Sequence, residues 1–281
     1  MKIEKTKEIG FCFGVKRAVD ILEKICRERG GVETLGAVVH NQQVLQRLAG
    51  IGVRVAKDIG DIKGKAVAIS SHGVAPEVEE KIRVRQIDIV DTTCPFVHRL
   101  QTAARRLARA GFLVVIYGDA DHTEVRGVLG WAEGKGIATL DERDIFKLEP
   151  LPRRLGVLSQ TTQIPADFVN FVKRLIDGAF TRDSELRVID TICHDIRKRQ
   201  AQALELAGKV DLMLVIGGHG SANTNRLAEL CSAVTETHLV ETAADIEPGW
   251  FQGKRNIGVT SGASTAEAAI EEVLARLKNL A

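Results

Sequence analysis

One phrase returns at a fixed phase in this chain, and it limits the possible folds more than any bulk property. Val90-Asp91-Thr92-Thr93-Cys94 and Ile189-Asp190-Thr191-Ile192-Cys193 are nearly the same five residues. Each follows a β-branched apolar run and precedes an amphipathic segment of helical period, which ends near Gly111 or Gly208. Cys12 has the same setting, a short strand-like opening followed by helical periodicity from Val15 to Arg29. A glycine then lies 24 residues after each cysteine (Cys12 to Gly36, Cys94 to Gly118, Cys193 to Gly217). His40, His122 and Ser221 each lie 28 residues after the same cysteines. Helical stripes follow (Val44-Leu45-Leu48, Val125-Val128-Leu129, Leu227-Leu230-Val234), then an Asp-Ile pair (Asp58-Ile59, Asp144-Ile145, Asp245-Ile246). Last comes a strand with a small polar tip: Ser70-Ser71-His72-Gly73, Ser159-Gln160-Thr161-Thr162, and Thr260-Ser261-Gly262-Ala263-Ser264.

The repeating unit therefore reads strand, cysteine, helix, strand, glycine loop, helix, strand, strand, polar loop. Alternation of strands and helices predicts an α/β fold with mainly parallel sheets. The expected arrangement is three pseudo-threefold-related units, with boundaries at 1–90, 91–189 and 190–281. Ligands of such sheets collect outside the carboxyl ends of the strands, where every landmark residue sits. Three units about a common centre would gather three cysteines, three glycine-loop residues and three polar tips.

Composition narrows the function classes. The 281 residues carry 39 Lys and Arg against 37 Asp and Glu, a net charge of +2, which is too balanced for a nucleic-acid protein. The opening MKIEKTKEIG holds no signal-peptide apolar region, and no apolar run reaches membrane-spanning length. A soluble, cytoplasmic protein with no membrane partner is expected. In that setting five cysteines do not read as a disulfide framework.

Cys26 and Cys231 lie inside helical apolar stripes and read as core. Cys12, Cys94 and Cys193 stand at strand ends before helices and read as metal ligands. Three thiolates on a pseudo-threefold axis suit one 4Fe–4S cluster, which leaves one iron without a protein ligand, open to act as a Lewis acid. Zinc is the rival metal, although structural zinc favours close-spaced C-x-x-C pairs that this sequence lacks. His40, His72 and His122 sit in equivalent loops, beside Thr161, Ser221, Asn223, Thr224, Ser264 and Thr265. Donors around helix N-termini make a phosphate or diphosphate pocket, and ordinary N-capping has the same residue signature. Glu124, two residues past His122, is the carboxylate placed to deliver a proton, with Thr161 or Thr162 to orient it. Gly217-Gly218-His219-Gly220 lacks the third glycine and the later acidic partner of a dinucleotide loop. The Arg-rich helix from His98 to Arg109 reads as a solvated face, with docking of an acidic electron carrier as the other reading. Three functions stay open on these residues: an iron–sulfur enzyme acting on a phosphorylated substrate, a cluster-bearing electron carrier or redox sensor, and a zinc-dependent hydrolase of a phosphorylated substrate.

The same residues carry a resemblance over essentially the whole chain. Gly10-Phe11-Cys12-Phe13-Gly14-Val15, Val39-His40-Asn41, Ser71-His72-Gly73-Val74, Asp91-Thr92-Thr93-Cys94-Pro95, His122-Thr123-Glu124-Val125 and Gln160-Thr161-Thr162 resemble the 4-hydroxy-3-methylbut-2-enyl diphosphate reductase family. Asp190-Thr191-Ile192-Cys193, Ser221-Ala222-Asn223-Thr224-Asn225-Arg226-Leu227 and Gly262-Ala263-Ser264-Thr265 continue the likeness. The resemblance implies a trefoil of three α/β units around a central cluster. It also implies removal of an allylic hydroxyl with two electrons and two protons, giving isopentenyl and dimethylallyl diphosphates. By the same resemblance, Cys12, Cys94 and Cys193 ligate the cluster, and Glu124 delivers protons with help from Thr161. His40, His72, His122, Thr161, Ser221, Ala222, Asn223 and Ser264 then form the substrate site. A reaction of that kind needs an electron donor such as a ferredoxin or flavodoxin. Three departures stand out: Ala222 replaces a second serine, leaving only its backbone N–H; Thr123 replaces a proline; and His194-Asp195-Ile196 follows the third cysteine.

Overall fold

Short apolar strands alternate with amphipathic helices along the whole chain. The computed structural model describes residues 1–39, 41–179 and 183–280. In chain order the elements are β1 (Lys2–Lys5), α1 (Phe13–Arg29), β2 (Val32–Leu35), α2 (Gln42–Gly50), β3 (Val53–Ala56), β4 (Ala66–Ile69), α3 (Pro76–Val84) and β5 (Asp88–Asp91). Then come α4 (Pro95–Arg109), β6 (Leu113–Tyr117), α5 (Thr123–Trp131), β7 (Gly136–Thr139), α6 (Arg143–Phe146), β8 (Arg154–Ser159), α7 (Pro165–Ala179) and β9 (Glu185–Val188). The last are α8 (His194–Ala207), β10 (Leu212–Ile216), α9 (Ala222–Ser232), β11 (Glu236–Val240), β12 (Asn256–Ser261) and α10 (Glu267–Lys278).

Three four-stranded sheets result, ordered β3-β2-β4-β5, β7-β6-β8-β9 and β11-β10-β12-β1, and every pairing is parallel. Each strand that leads into a landmark cysteine pairs with the polar-tip strand of the preceding repeat: β5 with β4, β9 with β8, and β1 with β12. Two compact units contain these sheets. One comprises residues 1–23, 39–52 and 194–281 and holds the sheet closed by β1; the other comprises 24–38 and 53–193 and holds the other two.

Central strands are apolar on both faces, as parallel strands covered by helices must be. In β6, Val114 and Ile116 pack with Leu100, Leu107 and Val128 from α4 and α5, while Val115 and Tyr117 pack with Phe168, Phe171 and Leu175 from α7. In β10, Leu212, Leu214 and Ile216 face Ile270, Val273 and Leu277 of α10, while Met213 and Val215 face Leu206, Leu227 and Cys231. Truncating a fully buried leucine such as Leu100 or Leu214 to alanine should cost about 2–5 kcal/mol.

The landmark glycines have two physical reasons. Gly36 lies at φ +73°, a backbone sign that disfavours side chains. Gly118 is needed for space, since a Cβ there would lie 2.8 Å from the Gln160 Cβ. The Asp-Ile pairs are not equivalent. The carboxylates of Asp61 and Asp245 close matching turns by accepting the N–H groups of Lys57 and Asp58, and of Glu241 and Thr242. Asp144 instead accepts the Thr139 hydroxyl at 2.7 Å.

Candidate functional site

The three landmark cysteines share one local construction. Cys94 is the N-cap of α4, and Cys12 and Cys193 immediately precede α1 and α8. Each backbone N–H donates to the polar-tip carbonyl reached by the sheet pairing: Cys12 to Ala263 (2.9 Å), Cys94 to Ser71 (3.0 Å) and Cys193 to Thr161 (2.9 Å). The turn into two of them is held by an aspartate. Asp91 accepts the Thr93 N–H at 2.9 Å, and Asp190 accepts the Ile192 N–H at 3.1 Å. Partial burial works to raise the Asp91 carboxyl, but hydrogen bonds from Thr93 and His98 hold it below its ordinary value. Both aspartates belong to the repeated phrase, so repetition was the available signal, while their role becomes visible only in the geometry.

All five thiols are outside disulfides. Cys231 is buried, with nothing to offset desolvation, which pushes its thiol up to about 12. Burial raises Cys12 as well, but the Val15 amide, Arg199 and the Gly14 amide oppose it, and the Val15 N–H lies 3.4 Å from its sulfur. Both thiols are thus held above their ordinary value, and only at Cys12 do neighbouring donors and a cation oppose the burial. Among the described residues, no three His, Cys, Asp or Glu side chains gather closely enough for a single metal ion. A cluster, whose irons take one thiolate each, does not require such a gathering.

Within the unit that contains β6–β9, Glu124 is buried in the first turn of α5 and held by one residue. Thr161 donates its backbone N–H to Oε1 at 2.8 Å and its hydroxyl to Oε2 at 2.6 Å. Burial pushes the Glu124 carboxyl above its ordinary value, against the pull of both Thr161 hydrogen bonds. His122 Nδ1 caps α5 by accepting the Glu124 N–H at 3.1 Å, so a neutral His122 carries its proton on Nε2. The His122 ring meets that of His72 edge to face, with centroids 5.6 Å apart. Residues expected to act on a proton and on an anion thus share one loop cluster.

Sequence reasoning passed over Gln160. Its Oε1 accepts the Asp119 N–H at 3.1 Å and the Gln163 amide at 3.0 Å. It thereby ties the loop before His122 to the strand end that carries Thr161. Thr162, the other residue considered for orienting the proton, makes no contact of that kind with Glu124; its buried hydroxyl has no partner among the described residues.

In the unit that contains β10–β12, Ser221 caps α9 by accepting the Thr224 N–H at 3.4 Å. Ala222 opens the helix without a side-chain donor. Asn223 is only 6% exposed and Ser264 only 7%, yet neither side-chain atom of Asn223, nor the Ser264 hydroxyl, has a hydrogen-bond partner among the described residues. Buried polar groups left unsatisfied cost about 1–3 kcal/mol each, so their persistence calls for a ligand or water. His40 lies outside the described residues.

Comparison with known proteins matches this construction to a single family. The family model described as LytB protein matches residues 3–278. The chain belongs to the LytB family. A relative from Dehalococcoides mccartyi (strain CBDB1), named 4-hydroxy-3-methylbut-2-enyl diphosphate reductase, is 60% identical over 280 residues, covering 100% of this chain and 99% of that protein. A Geobacter metallireducens protein of the same name is 41% identical over 282 residues, covering 100% and 98%. Among solved structures, that of (E)-4-hydroxy-3-methyl-but-2-enyl diphosphate reductase, described as the terminal enzyme of the non-mevalonate pathway, is 36% identical with a TM-score of 0.72. It covers 99% of this chain and 100% of that one. The E-1-hydroxy-2-methyl-but-2-enyl-4-diphosphate reductase of Plasmodium falciparum is 25% identical with a TM-score of 0.92, covering 99% and 88%. These LytB structures share the three parallel-sheet α/β units. Membership makes the chain an oxidoreductase, and among the described residues no helix is long and apolar enough to cross a membrane.

Proposed function

We propose that this LytB-family chain removes the allylic hydroxyl of 4-hydroxy-3-methylbut-2-enyl diphosphate. Two electrons and two protons enter, and isopentenyl or dimethylallyl diphosphate and water leave. The observation that carries the proposal is Glu124, a buried carboxyl pushed towards its protonated form and fixed by two hydrogen bonds from Thr161. A carboxyl in that state is a general acid.

Cys12, Cys94 and Cys193 are the proposed ligands of one 4Fe–4S cluster. Their support is the shared setting: thiols outside disulfides at helix starts, each with its N–H tied to a polar tip. When bound, the cluster supplies the electrons and, at the iron without a protein ligand, a Lewis acid for the hydroxyl. Glu124 protonates the leaving oxygen so that water departs instead of hydroxide, and Thr161 keeps the carboxyl in one orientation. His72 and His122, with His40 in the equivalent loop of the first repeat, donate to the diphosphate. Ser221, Asn223, Ser264 and the Ala222 N–H add donors at the start of α9, where an anion also meets the positive end of the helix dipole. We read the three repeats, bounded near 90 and 190, as copies of one ligand-bearing unit. The electrons come from a carrier such as a ferredoxin or flavodoxin, in a cytoplasm reducing enough to keep the thiols free.

The test is turnover of 4-hydroxy-3-methylbut-2-enyl diphosphate by protein purified without oxygen, with reduced methyl viologen as donor. Both isomeric products should appear. A colourless protein that leaves this substrate unreduced overturns the proposal.

A further inference from the structure

The helix that starts at Cys94 has an unusual charge pattern. Between Pro95 and Arg109, α4 carries Arg99, Arg105, Arg106 and Arg109 and no carboxylate. It is the only described helix of 11 or more residues without an Asp or Glu. The structure divides its arginines into two pairs. Arg105 and Arg109 both reach Glu133 (3.4 and 2.8 Å), and Arg105 also lies over the Trp131 ring at 5.5 Å. Those two bind α4 to the end of α5. The side chains of Arg99 and Arg106 are exposed and have no hydrogen bond or ion pair among the described residues.

With exposed Pro95 and Thr102, they fall at i, i+4, i+7 and i+11, a single face of the helix, away from the side that packs Leu100, Ala104 and Leu107 on the sheet. Arg99 stands five residues from Cys94, about 7.5 Å of helix rise. A cation recurs at this offset in all three repeats: Arg17 after Cys12, Arg99 after Cys94 and Lys198 after Cys193. Two uncompensated guanidinium groups near a proposed cluster ligand make a positive surface within a few turns of the place where electrons must enter.

We infer that the Arg99–Arg106 face of α4 is the docking surface for the electron donor, a small one-electron carrier protein with an acidic surface around its redox group. The inference rests on the reductase reading. Each turnover oxidises two reduced carriers, docked in turn, by one electron each. The substrate gains those two electrons and two protons: its C–O bond breaks, a C–H bond forms, and water leaves. Charge of this kind speeds encounter, and at a given rate of escape a slower encounter is a proportionally weaker complex.

Flavodoxin, an acidic carrier, is the probe, and reduced methyl viologen is the reductant that needs no docking surface. At low ionic strength the Arg99→Glu/Arg106→Glu protein should show a KM for reduced flavodoxin raised about tenfold or more. Its viologen-driven turnover and cluster absorbance should stay normal. Titration with oxidised flavodoxin should show the same loss of affinity without any catalysis, and the salt dependence of the wild-type interaction should flatten. Lys173→Glu, an exposed reversal on α7, matches the net-charge change of Arg106→Glu and should leave both readouts unchanged. If Arg99→Glu disturbs the cluster, Arg106→Glu alone, about 10 Å farther along the helix, must still weaken flavodoxin binding. Unchanged flavodoxin affinity in the double variant, or in Arg106→Glu alone, overturns the docking surface. Absent viologen turnover in the wild type overturns the reductase reading instead, and the titration still decides the surface.

Discussion

The starts of α5 and α9 occupy the same place in their repeats, yet they use their polar atoms in opposite ways. At α5, His122 accepts the Glu124 N–H, and both Glu124 oxygens are taken by Thr161. At α9, Ser221 accepts the Thr224 N–H in the same capping role, but the Asn223 amide and Ser264 hydroxyl beside it have no partner among the described residues. One backbone plan thus serves two chemistries. At the first, both carboxylate oxygens are held by the protein; at the second, buried polar atoms have no partner among the described residues. N-capping and the proposed anion binding share a residue signature, and the two overlap here: Ser221 Oγ accepts as a cap and keeps its O–H to donate, whereas the Asn223 amide and Ser264 hydroxyl make no capping bond.

The sharpest way to break this contrast is Glu124→Gln, which keeps the shape and the bond from the Thr161 N–H, with Thr161 Oγ1 turned to accept from the amide, but carries no transferable proton. Turnover should fall about a hundred- to ten-thousandfold, with substrate affinity near normal. The variant also tests the pH behaviour. Because burial raises the carboxyl, its contribution to stability is fully present below the ordinary value of about 4.3 and is lost as pH rises through the folded value. Over that window the wild type should lose stability relative to Glu124→Gln in denaturant titrations at stepped pH. The alkaline fall in turnover set by Glu124 should vanish in the variant.

Asn223→Ala should show the opposite profile, with diphosphate affinity weakened about ten- to a hundredfold. The expected reading is a raised KM with kcat little changed; a fall in kcat alone would mean that Asn223 serves the chemistry and would erase the contrast. Thr161→Val removes one of the two hydrogen bonds to Glu124 and should slow turnover up to about tenfold. It should also move the alkaline limb upward, since that bond lowers the Glu124 value. The smallest effect belongs to Ser221→Ala, which should cost about 1 kcal/mol of stability through the lost cap, read as a shifted denaturation midpoint.

Much of this architecture was legible in the sequence because the repeat is carried by residues with strong local reasons. Cys94 and Cys193 follow the same Asp-Thr phrase, and the 24-residue intervals land just past strand ends. The 28-residue intervals from Cys94 and Cys193 land on the helix caps His122 and Ser221, whereas α2 is capped by Asn41. What the spacing could not reveal is pairing between distant segments. That β1 joins β12 follows from backbone hydrogen bonding between opposite ends of the chain, which leaves no local signature, whereas β5 joins β4 through an ordinary strand-helix-strand unit. The in-phase Asp-Ile pairs misled for a related reason: Asp61, not Asp58, is the counterpart of Asp245, and only the carboxylate contacts reveal it. At the site, Glu124 and Thr161 stood out individually. The double donation between them and the tie through Gln160 depend on two strand ends meeting, a tertiary fact.

The central claim, that three helix-start thiols hold one cluster while the helix-interior thiols do not, is tested most directly by iron analysis with visible spectra on protein purified without oxygen. Wild type, Cys26→Ser and Cys231→Ser should carry about four irons per chain and an absorbance that bleaches in air. Cys12→Ser, Cys94→Ser and Cys193→Ser should each lose most of both. Equal loss from Cys231→Ser, or a colourless wild type that binds zinc, would contradict the account.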